Sequence, residues 1–191
     1  GLRLVQAVPG AVLRHRPVAH VEDLRVTTTL ADDFGSAEVR LAVDLRGEGT
    51  VTARLEGVGD LVAVDGALAI TVDAPRLWSP ESPELYELVI EVRDAAGAVT
   101  EVIPQSVGIR RFAIEDGLLR LNGRRVVFHG VNRHEFGLTG RVMTREQTEA
   151  DLQALKRINV NAVRTSHYPN NSFFYELADR YGFLVIDEMN L

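Results

Sequence analysis

The sequence predicts a chain in two parts, an antiparallel β-sandwich over residues 1–112 and an α/β segment over residues 113–191. Three observations predict this division. Before residue 112, apolar and polar residues alternate in short runs separated by glycine, aspartate and proline. After residue 112, short apolar runs alternate with stretches whose apolar residues recur at helical spacing. The apolar period changes near residue 112, and we place the boundary there.

Composition excludes several classes of protein. Hydrophobic residues make up 46% and charged residues 25% of the 191 residues, as in ordinary folded proteins. The chain has no cysteine, which excludes a disulfide scaffold and a cysteine nucleophile and fits the cytoplasmic location that we expect. A formal net charge of −6 argues against nucleic acid or an anionic membrane as a partner. No run of about 20 apolar residues is present to span a membrane.

Six runs in the first part alternate in the manner of half-buried strands. In the clearest run, Val39, Leu41, Val43 and Leu45 alternate with polar or small residues. The other five runs are Leu24–Leu30, Val51–Leu55, Leu68–Val72, Leu85–Val92 and Val99–Ile103. Six short strands within about 100 residues predict an immunoglobulin-like antiparallel sandwich.

The segment Pro75–Tyr86 interrupts this pattern. It contains the only tryptophan, Trp78, and three of the seven prolines. Proline cannot continue a central strand, so we expect an ordered loop here. Two interpretations of Trp78 stay open: a side chain that plugs one end of the sandwich, or an aromatic platform for a sugar ring. Packing is the favoured interpretation, because single aromatic residues serve it more often.

A hairpin and a buried strand are predicted at the start of the second part. Asn122-Gly123 is a preferred two-residue turn, and it lies between the predicted hairpin strands Leu118–Leu121 and Arg124–Phe128. The continuous apolar run Val126–Phe128 predicts a parallel strand that is buried on both faces.

Two helices and two further parallel strands follow. Thr144 and Gln147 fit a capping box for a helix over Arg145–Asn159. A second helix is expected to begin at Asn170 or Asn171 and to end at Gly182. The strands that follow these helices are predicted at Ala162–Arg164 and Phe183–Ile186. Strands that alternate with amphipathic helices predict a parallel sheet with right-handed crossovers.

Polar residues cluster after each predicted parallel strand, in the runs His129–Glu135, Arg164–Asn170 and Asp187–Asn190. The carboxyl ends of parallel strands share one edge of a sheet, and that edge carries the chemistry in such folds. Of the neighbours Asp187 and Glu188, we expect only one to face the barrel interior. Ser166 is not expected to be a nucleophile, because its neighbour His167 should point to the opposite face.

Several motifs resemble the glycoside hydrolases of family 2. The similar blocks are Asn122–Glu135, Ala162–Asn170, Asp179–Gly182 and Val185–Leu191 in the barrel part, and Leu77–Tyr86 and Gly108–Arg110 in the immunoglobulin-like part. Asn132–Glu135 together with Asp187–Asn190 resembles β-galactosidases of the bacterial LacZ type more than β-glucuronidases. The latter usually have Cys-Pro where Met189-Asn190 stands here.

This resemblance implies an immunoglobulin-like sandwich followed by about three β/α units of an incomplete TIM barrel. It also implies retaining hydrolysis of terminal β-D-galactosides, with two glutamates about 5 Å apart. His134 and His167 would contact the sugar hydroxyls and stabilise the transition state. Arg164 would orient the nucleophile, and Asn190 would join the substrate-binding set.

The same resemblance places both catalytic glutamates after barrel strands four and seven, beyond residue 191. We therefore expect no catalytic residue and no turnover in these 191 residues, as in an internal segment of a longer enzyme. A barrel needs roughly 250 residues, far more than 113–191 supply. The resemblance also implies Mg²⁺ in the longer protein, with ligands beyond residue 191, and no cofactor or metal site in this chain.

Two alternatives to a β-galactosidase stay open. One is another family 2 glycosidase, a β-glucuronidase or a β-mannosidase. The other is a non-catalytic sandwich that binds a saccharide or serves a structural role. An incomplete barrel exposes apolar side chains and strand edges, so we expect the chain to self-associate through this region or to stay partly mobile there. The residues expected at that surface are Val126, Phe128, Val163, Val185 and Ile186.

Overall fold

A computed structural model describes residues 16–138 and 140–189 of the chain, and the fold is described for these residues alone. The strands of the first part are β1 (His20–Leu30), β2 (Ser36–Arg46), β3 (Gly49–Leu55), β4 (Gly59–Asp60), β5 (Val62–Val64), β6 (Ala67–Asp73), β7 (Tyr86–Asp94) and β8 (Val99–Val107). The second part contains β9 (Phe112–Glu115), β10 (Leu118–Leu121), β11 (Arg124–Arg125), β12 (Gly130–Arg133), α1 (Arg145–Arg157), β13 (Ala162–Thr165), α2 (Ser172–Tyr181) and β14 (Leu184–Ile186).

The first eight strands form two four-stranded sheets, in the orders β1-β2-β6-β5 and β4-β3-β7-β8. Strand β3 pairs antiparallel with both β4 and β7, and β5 pairs antiparallel with β6. All six predicted strands are confirmed, most of them a few residues longer than expected. Sequence analysis missed β4 and β5, because strands of two and three residues are too short to show a period.

Two compact units divide the chain. Among the described residues, one unit comprises 16–27, 39–71 and 87–105, and the other comprises 28–38, 72–86 and 106–189. In the first unit, Val21 of β1 and Val92 of β7 belong to one buried core, and half-buried residues of β2, β3 and β8 pack against it. Both four-stranded sheets therefore contribute alternate side chains to a common core, as a sandwich requires.

The predicted hairpin is confirmed, but the strand expected after it is not. Strands β10 and β11 pair across the Asn122-Gly123 turn, and β9 adds a third antiparallel strand that sequence analysis missed. The prediction of a buried strand at Val126–Phe128 is wrong. Val127 is 50% and Phe128 37% exposed, and the first parallel strand is β12, which begins at Gly130.

The side chain of Asn161 pairs part of the backbone of this segment. Its Nδ2 donates to the Val127 carbonyl at 2.9 Å, and its Oδ1 accepts from the His129 amide at 2.8 Å. Backbone groups that a sheet would otherwise satisfy are paired by one asparagine. An apolar run alone cannot show that such a side chain is present.

The second unit contains a parallel sheet in the order β12-β13-β14. Val131, Val163 and Val185 occupy partner positions on the three strands. They lie in or against one core with residues of both helices, among them Leu152, Phe174 and Leu177. The two helices therefore cover the same face of the sheet. Successive crossovers to the same side are the start of a barrel rather than of a doubly wound sheet.

The helix ends agree with the predicted signals. Thr144 and Gln147 form a reciprocal capping box at the start of α1. Helix α1 ends at Arg157, two residues earlier than expected, because Asn159 has a φ of 61° that a helix cannot continue. Asn171 is the N-cap of α2, and Gly182 ends that helix in the left-handed conformation.

One residue expected to be exposed by the incomplete barrel is buried. Val163 has 0% exposure, because both helices cover its face of the sheet. Phe128 and Ile186 are exposed as expected, at 37% and 46%.

Within the described part of the chain, neither helix has the length and apolarity needed to cross a membrane.

Candidate functional site

The carboxyl ends of the three parallel strands bring together polar residues from the predicted clusters. In the strand register, Asn132 is paired with Arg164 and Arg133 with Thr165, so β12 and β13 end at the same level. Because side chains alternate between the two faces of a strand, Asn132 and Arg164 lie on the face opposite the helices. Closing the sheet into a barrel makes that face the interior.

Glu188, two residues after β14, is the centre of the polar cluster on this face. Its Oε2 lies 2.8 Å from Nη2 of Arg164, and its Oε1 lies 3.2 Å from Nδ1 of His167. Arg164 also donates through Nη1 to Oδ1 of Asn132 at 3.4 Å. One carboxylate thus joins residues from the ends of β13 and β14, and the guanidinium extends the cluster to β12.

His134 is held by the backbone of the loop after β13. Its Nδ1 lies 2.5 Å from the carbonyl oxygen of Ser166, which can only accept, so Nδ1 carries a proton. The Tyr168 ring meets the imidazole edge to face, with centroids 5.0 Å apart. With Nδ1 occupied, Nε2 is the nitrogen that remains to contact a ligand hydroxyl.

Asp187 has different partners from its neighbour Glu188. One of its carboxylate oxygens, Oδ1, accepts from Oγ1 of Thr165 at 2.9 Å and from the Tyr175 hydroxyl at 2.7 Å. Burial raises the pKa of Tyr175 to about 12, and its hydrogen bond to Asp187 acts in the same direction. The hydroxyl therefore stays protonated, and stays a donor, at neutral pH.

Arg133 anchors the end of β12 beneath the site. Its side chain is 6% exposed, and it donates to Oδ1 of Asn170 at 2.8 Å, to Oγ1 of Thr148 at 3.3 Å and to Oδ2 of Asp151 at 3.1 Å. Its guanidinium also lies over the Phe174 ring at 5.4 Å. A buried cation needs such partners, and these connect β12 to both helices.

The structure places three of the four predicted site residues at this edge. Arg164 and His167 meet at Glu188, and His134 lies against the backbone between Thr165 and His167. Asn190 lies outside the described residues. Sequence analysis assigned no role to Glu188, although the signal was present. Glu188 stands two residues beyond Ile186, the register partner of Arg164, and therefore shares its face.

Metal binding has no support among the described residues. Within 16–138 and 140–189, no group of three or more histidines or carboxylates is arranged to hold a metal ion. The donor set at the strand ends is also wrong for one, because Arg164 already neutralises the Glu188 carboxylate. No catalytic step is therefore assigned to a metal at these residues.

The interpretation of Trp78 as a sugar platform is wrong. Its side chain is 1% exposed, and its Nε1 donates to the Asp179 carbonyl at 2.7 Å. The Arg110 guanidinium lies over the ring, 4.8 Å from the centroid. A ring enclosed in this way has no free face for a saccharide, so Trp78 serves packing, as the favoured interpretation predicts.

Comparison with known families agrees with this architecture. A sandwich followed by parallel β/α units with a polar cluster at the strand ends defines a barrel protein with a site for a polar ligand. Residues 19–110 match the model described as "Glycosyl hydrolases family 2", and residues 112–191 match "Glycosyl hydrolases family 2, TIM barrel domain". The chain belongs to glycosyl hydrolase family 2.

Curated relatives include two named β-galactosidase. The protein from Halalkalibacterium halodurans is 43% identical over 189 residues, which cover 92% of this chain and 19% of the relative. The protein from Streptococcus thermophilus is 45% identical over 190 residues, which cover 92% of this chain and 18% of the relative. The chain thus spans about a fifth of the length of the curated relatives it matches.

Solved structures with the same fold include β-glucuronidases. The enzyme from Ruminococcus gnavus, solved in complex with D-glucaro 1,5-lactone, is 36% identical, with a TM-score of 0.79 over 91% of this chain and 30% of that chain. β-Glucuronidase 3 from Bacteroides uniformis is 28% identical, with a TM-score of 0.83 over 93% of this chain and 23% of that chain. These structures share the fold of this chain.

Proposed function

We propose that this chain supplies the sandwich and the first three β/α units of a retaining β-galactosidase. The observation that carries the proposal is the cluster of Arg164, His167 and Glu188 on the sheet face opposite the helices. The names of the curated relatives, at 41–45% identity, favour a galactoside. So does the absence of Cys-Pro at Met189-Asn190, where the resemblance implies it for β-glucuronidases.

The family resemblance implies a role for each of these residues. Nε2 of His134, opposite the nitrogen held by the Ser166 carbonyl, contacts a sugar hydroxyl. His167 is 69% exposed and binds a second hydroxyl. Arg164 donates to the carboxylate that attacks the anomeric carbon, and Asn190 completes the substrate-binding set. That carboxylate and the acid/base glutamate belong to later barrel strands in the family resemblance.

An activity assay with a matched control tests this proposal. We expect the purified 191-residue chain to show no turnover of 4-nitrophenyl β-D-galactoside, because neither glutamate of the retaining pair is assigned within it. His134→Ala identifies a contaminating host enzyme, whose activity it cannot change. Turnover that His134→Ala abolishes and His20→Ala preserves would contradict the proposal and point to a catalytic pair among Glu135, Asp187 and Glu188.

A binding experiment tests the sugar class. Methyl β-D-galactoside and methyl β-D-glucuronide are titrated separately while the imidazole signals of His134 and His167 are followed by NMR. We expect the galactoside to move these signals and the glucuronide to move them less. The opposite order favours the alternative of a β-glucuronidase, for which the solved relatives are the supporting observation.

We propose a second copy of the chain as a further partner, through the apolar surface of the second unit. The rings of Phe112 and Phe128 stack with their centroids 6.4 Å apart. Together with Ile186, they line an open cleft of about 600 Å³. Sedimentation velocity should show a sedimentation coefficient that rises with concentration, and Phe128→Ser should reduce the rise. A concentration-independent monomer would contradict self-association.

Neither nucleic acid nor a membrane is proposed as a partner, and a cytoplasmic location is proposed from the absence of cysteine.

A further inference from the structure

Arg164 and His167, two residues assigned to substrate binding, are not held in place by packing. The Arg164 side chain is 39% exposed and that of His167 is 69% exposed. Long exposed side chains occupy many rotamers unless a directional contact selects one. Glu188 contacts both side chains: Oε2 forms a close ion pair with the Arg164 guanidinium without hydrogen-bond geometry, and Oε1 forms a hydrogen bond with Nδ1 of His167. Its own side chain is 28% exposed, and Oε2 is fully buried.

A chain of hydrogen bonds holds Glu188 itself. Its backbone amide donates to Oγ1 of Thr165 at 3.0 Å, and that hydroxyl donates to Asp187 at 2.9 Å. On the other side of Asp187, the Tyr175 hydroxyl donates at 2.7 Å and accepts from the Asn170 amide at 3.1 Å. Each hydroxyl donates once and accepts once, and both donate to the same carboxylate, so the bonds reinforce one another.

This chain extends to the end of the first parallel strand. The Asn170 side chain accepts from Arg133 at the end of β12. The ends of β12, β13 and β14 are therefore linked through a single series of side chains and backbone amides that passes through Tyr175 and Asp187. A disturbance at Tyr175 has a defined route to Glu188, although the hydroxyl touches neither Arg164 nor His167.

From this geometry we infer that Glu188 is a positioning residue that orients Arg164 and His167 toward the ligand, and that Tyr175, through Asp187, fixes Glu188. The inference rests on the proposed function for the identity of the ligand. The positioning itself is a property of the described residues. Tyr175 and Glu188 are not catalytic residues in this scheme, since each acts through another side chain.

The test measures the mobility of Arg164 in the intact 191-residue chain. Glu188→Gln removes the charge that holds the guanidinium. We expect rotation about the Arg164 Nε–Cζ bond, followed by ¹⁵N NMR, to become about fivefold faster, as loss of a partly buried ion pair implies. Glu176→Gln is the matched control. It breaks the 2.7 Å pair with Arg145 on the helix surface and should leave the Arg164 rate unchanged.

A second pair of variants tests the route through Tyr175. Tyr175→Phe removes one hydroxyl, and Tyr181→Phe removes the hydroxyl of the other tyrosine of α2, which bonds to Glu149 and Gln153. We expect about a twofold faster Arg164 rotation in Tyr175→Phe and no change in Tyr181→Phe. If Glu188→Gln does not fold, Glu188→Asp replaces it, since the shorter side chain cannot reach both partners.

Titration of the same samples with methyl β-D-galactoside separates the positioning role from the proposed function. Faster Arg164 rotation with about tenfold weaker galactoside binding in Glu188→Gln supports both. Faster rotation in a chain that never binds the galactoside keeps the positioning role and rejects the proposed ligand. An Arg164 rate in Glu188→Gln equal to that in native protein and in Glu176→Gln would overturn the positioning role, whatever the galactoside result.

Discussion

At the scale of single residues, the second unit shows how buried charge dictates local structure. Arg133 is buried with three oxygen partners, two from helix α1 and one from the loop before α2. Asp179 is different, because burial raises the pKa of its carboxyl and the charge of Arg110 lowers that pKa only in part. In the folded state, oxygen atoms compensate the charge of Arg133. Arg110 compensates the charge of Asp179 only in part.

Asp179 therefore gives the protein a pH dependence with a defined sign. Burial raises the pKa of this carboxyl above its ordinary 3.8, and Arg110 lowers it in part. The folded state then binds the proton more tightly than the unfolded state, so the free energy of unfolding falls as pH rises from 3.8 through the folded-state pKa. Asp179→Asn should remove this fall and unfold at higher urea concentration than native protein at neutral pH.

Urea unfolding at several pH values checks this prediction. The advantage of Asp179→Asn should disappear below pH 3.8, where the native carboxyl is protonated in both states. Asp73→Asn, at an exposed position in the same unit, controls for the loss of one negative charge. An equal gain in both variants would assign the effect to net charge instead of burial.

At the scale of elements, the end of α2 combines a backbone requirement with a close contact. Gly182 has a φ of 74°, and a Cβ at this position would lie 2.5 Å from the Pro80 carbonyl oxygen. That carbonyl and the Gly182 carbonyl both accept from Nζ of Lys156, at 2.6 and 3.0 Å. Burial lowers the pKa of this lysine. Helix α2 therefore ends where three elements of the second unit meet.

Gly182→Ala should cost more than backbone strain alone. Gly117 is a matched control, since its φ is 73° and a Cβ there would have no neighbouring atom within 4 Å. We expect Gly117→Ala to lower the free energy of unfolding by about 1 kcal/mol, from the left-handed conformation alone. Gly182→Ala adds a clash with the backbone and should lower it by about 2–3 kcal/mol. Equal losses in urea unfolding would show that the Pro80 loop moves away freely.

At the scale of the whole molecule, the only tryptophan reports on the second unit. Trp78 is buried, its Nε1 is bonded to the Asp179 carbonyl, and its backbone carbonyl accepts from Nδ2 of Asn122. Its backbone amide donates to the Ile109 carbonyl at 2.9 Å. Through Trp78, the Pro75–Tyr86 loop is thereby fixed to Ile109, to the turn at Asn122 and to α2.

Trp78 fluorescence should not respond to sugars. Because no face of the ring is open to solvent, titration with galactose or lactose should leave both the intensity and the emission maximum unchanged. The emission should shift to longer wavelength only on unfolding. A saturable change on addition of lactose, absent with sucrose, would contradict the burial of Trp78 and restore the alternative of a saccharide-binding sandwich.

Much of the fold was predictable from local patterns, and the failures have local causes too. The capping box at Thr144 and the left-handed Gly182 are encoded by residues next to the helix ends they define. Val126–Phe128 has the composition of a buried strand, yet Asn161, more than thirty residues away, pairs its backbone. A local pattern carries no information about such a distant partner.

By itself, the sequence determined the six main strands of the sandwich, both helices, two of the three parallel strands and the edge at which the site residues meet. These follow from periods and end signals that neighbouring residues share. Only the tertiary structure decided that Trp78 is enclosed, that Glu188 rather than Asp187 bonds to Arg164, and that Tyr175 joins the site. The physical reason is that hydrogen bonds and ion pairs form between residues distant in the chain, and packing chooses among partners that the local pattern leaves equivalent.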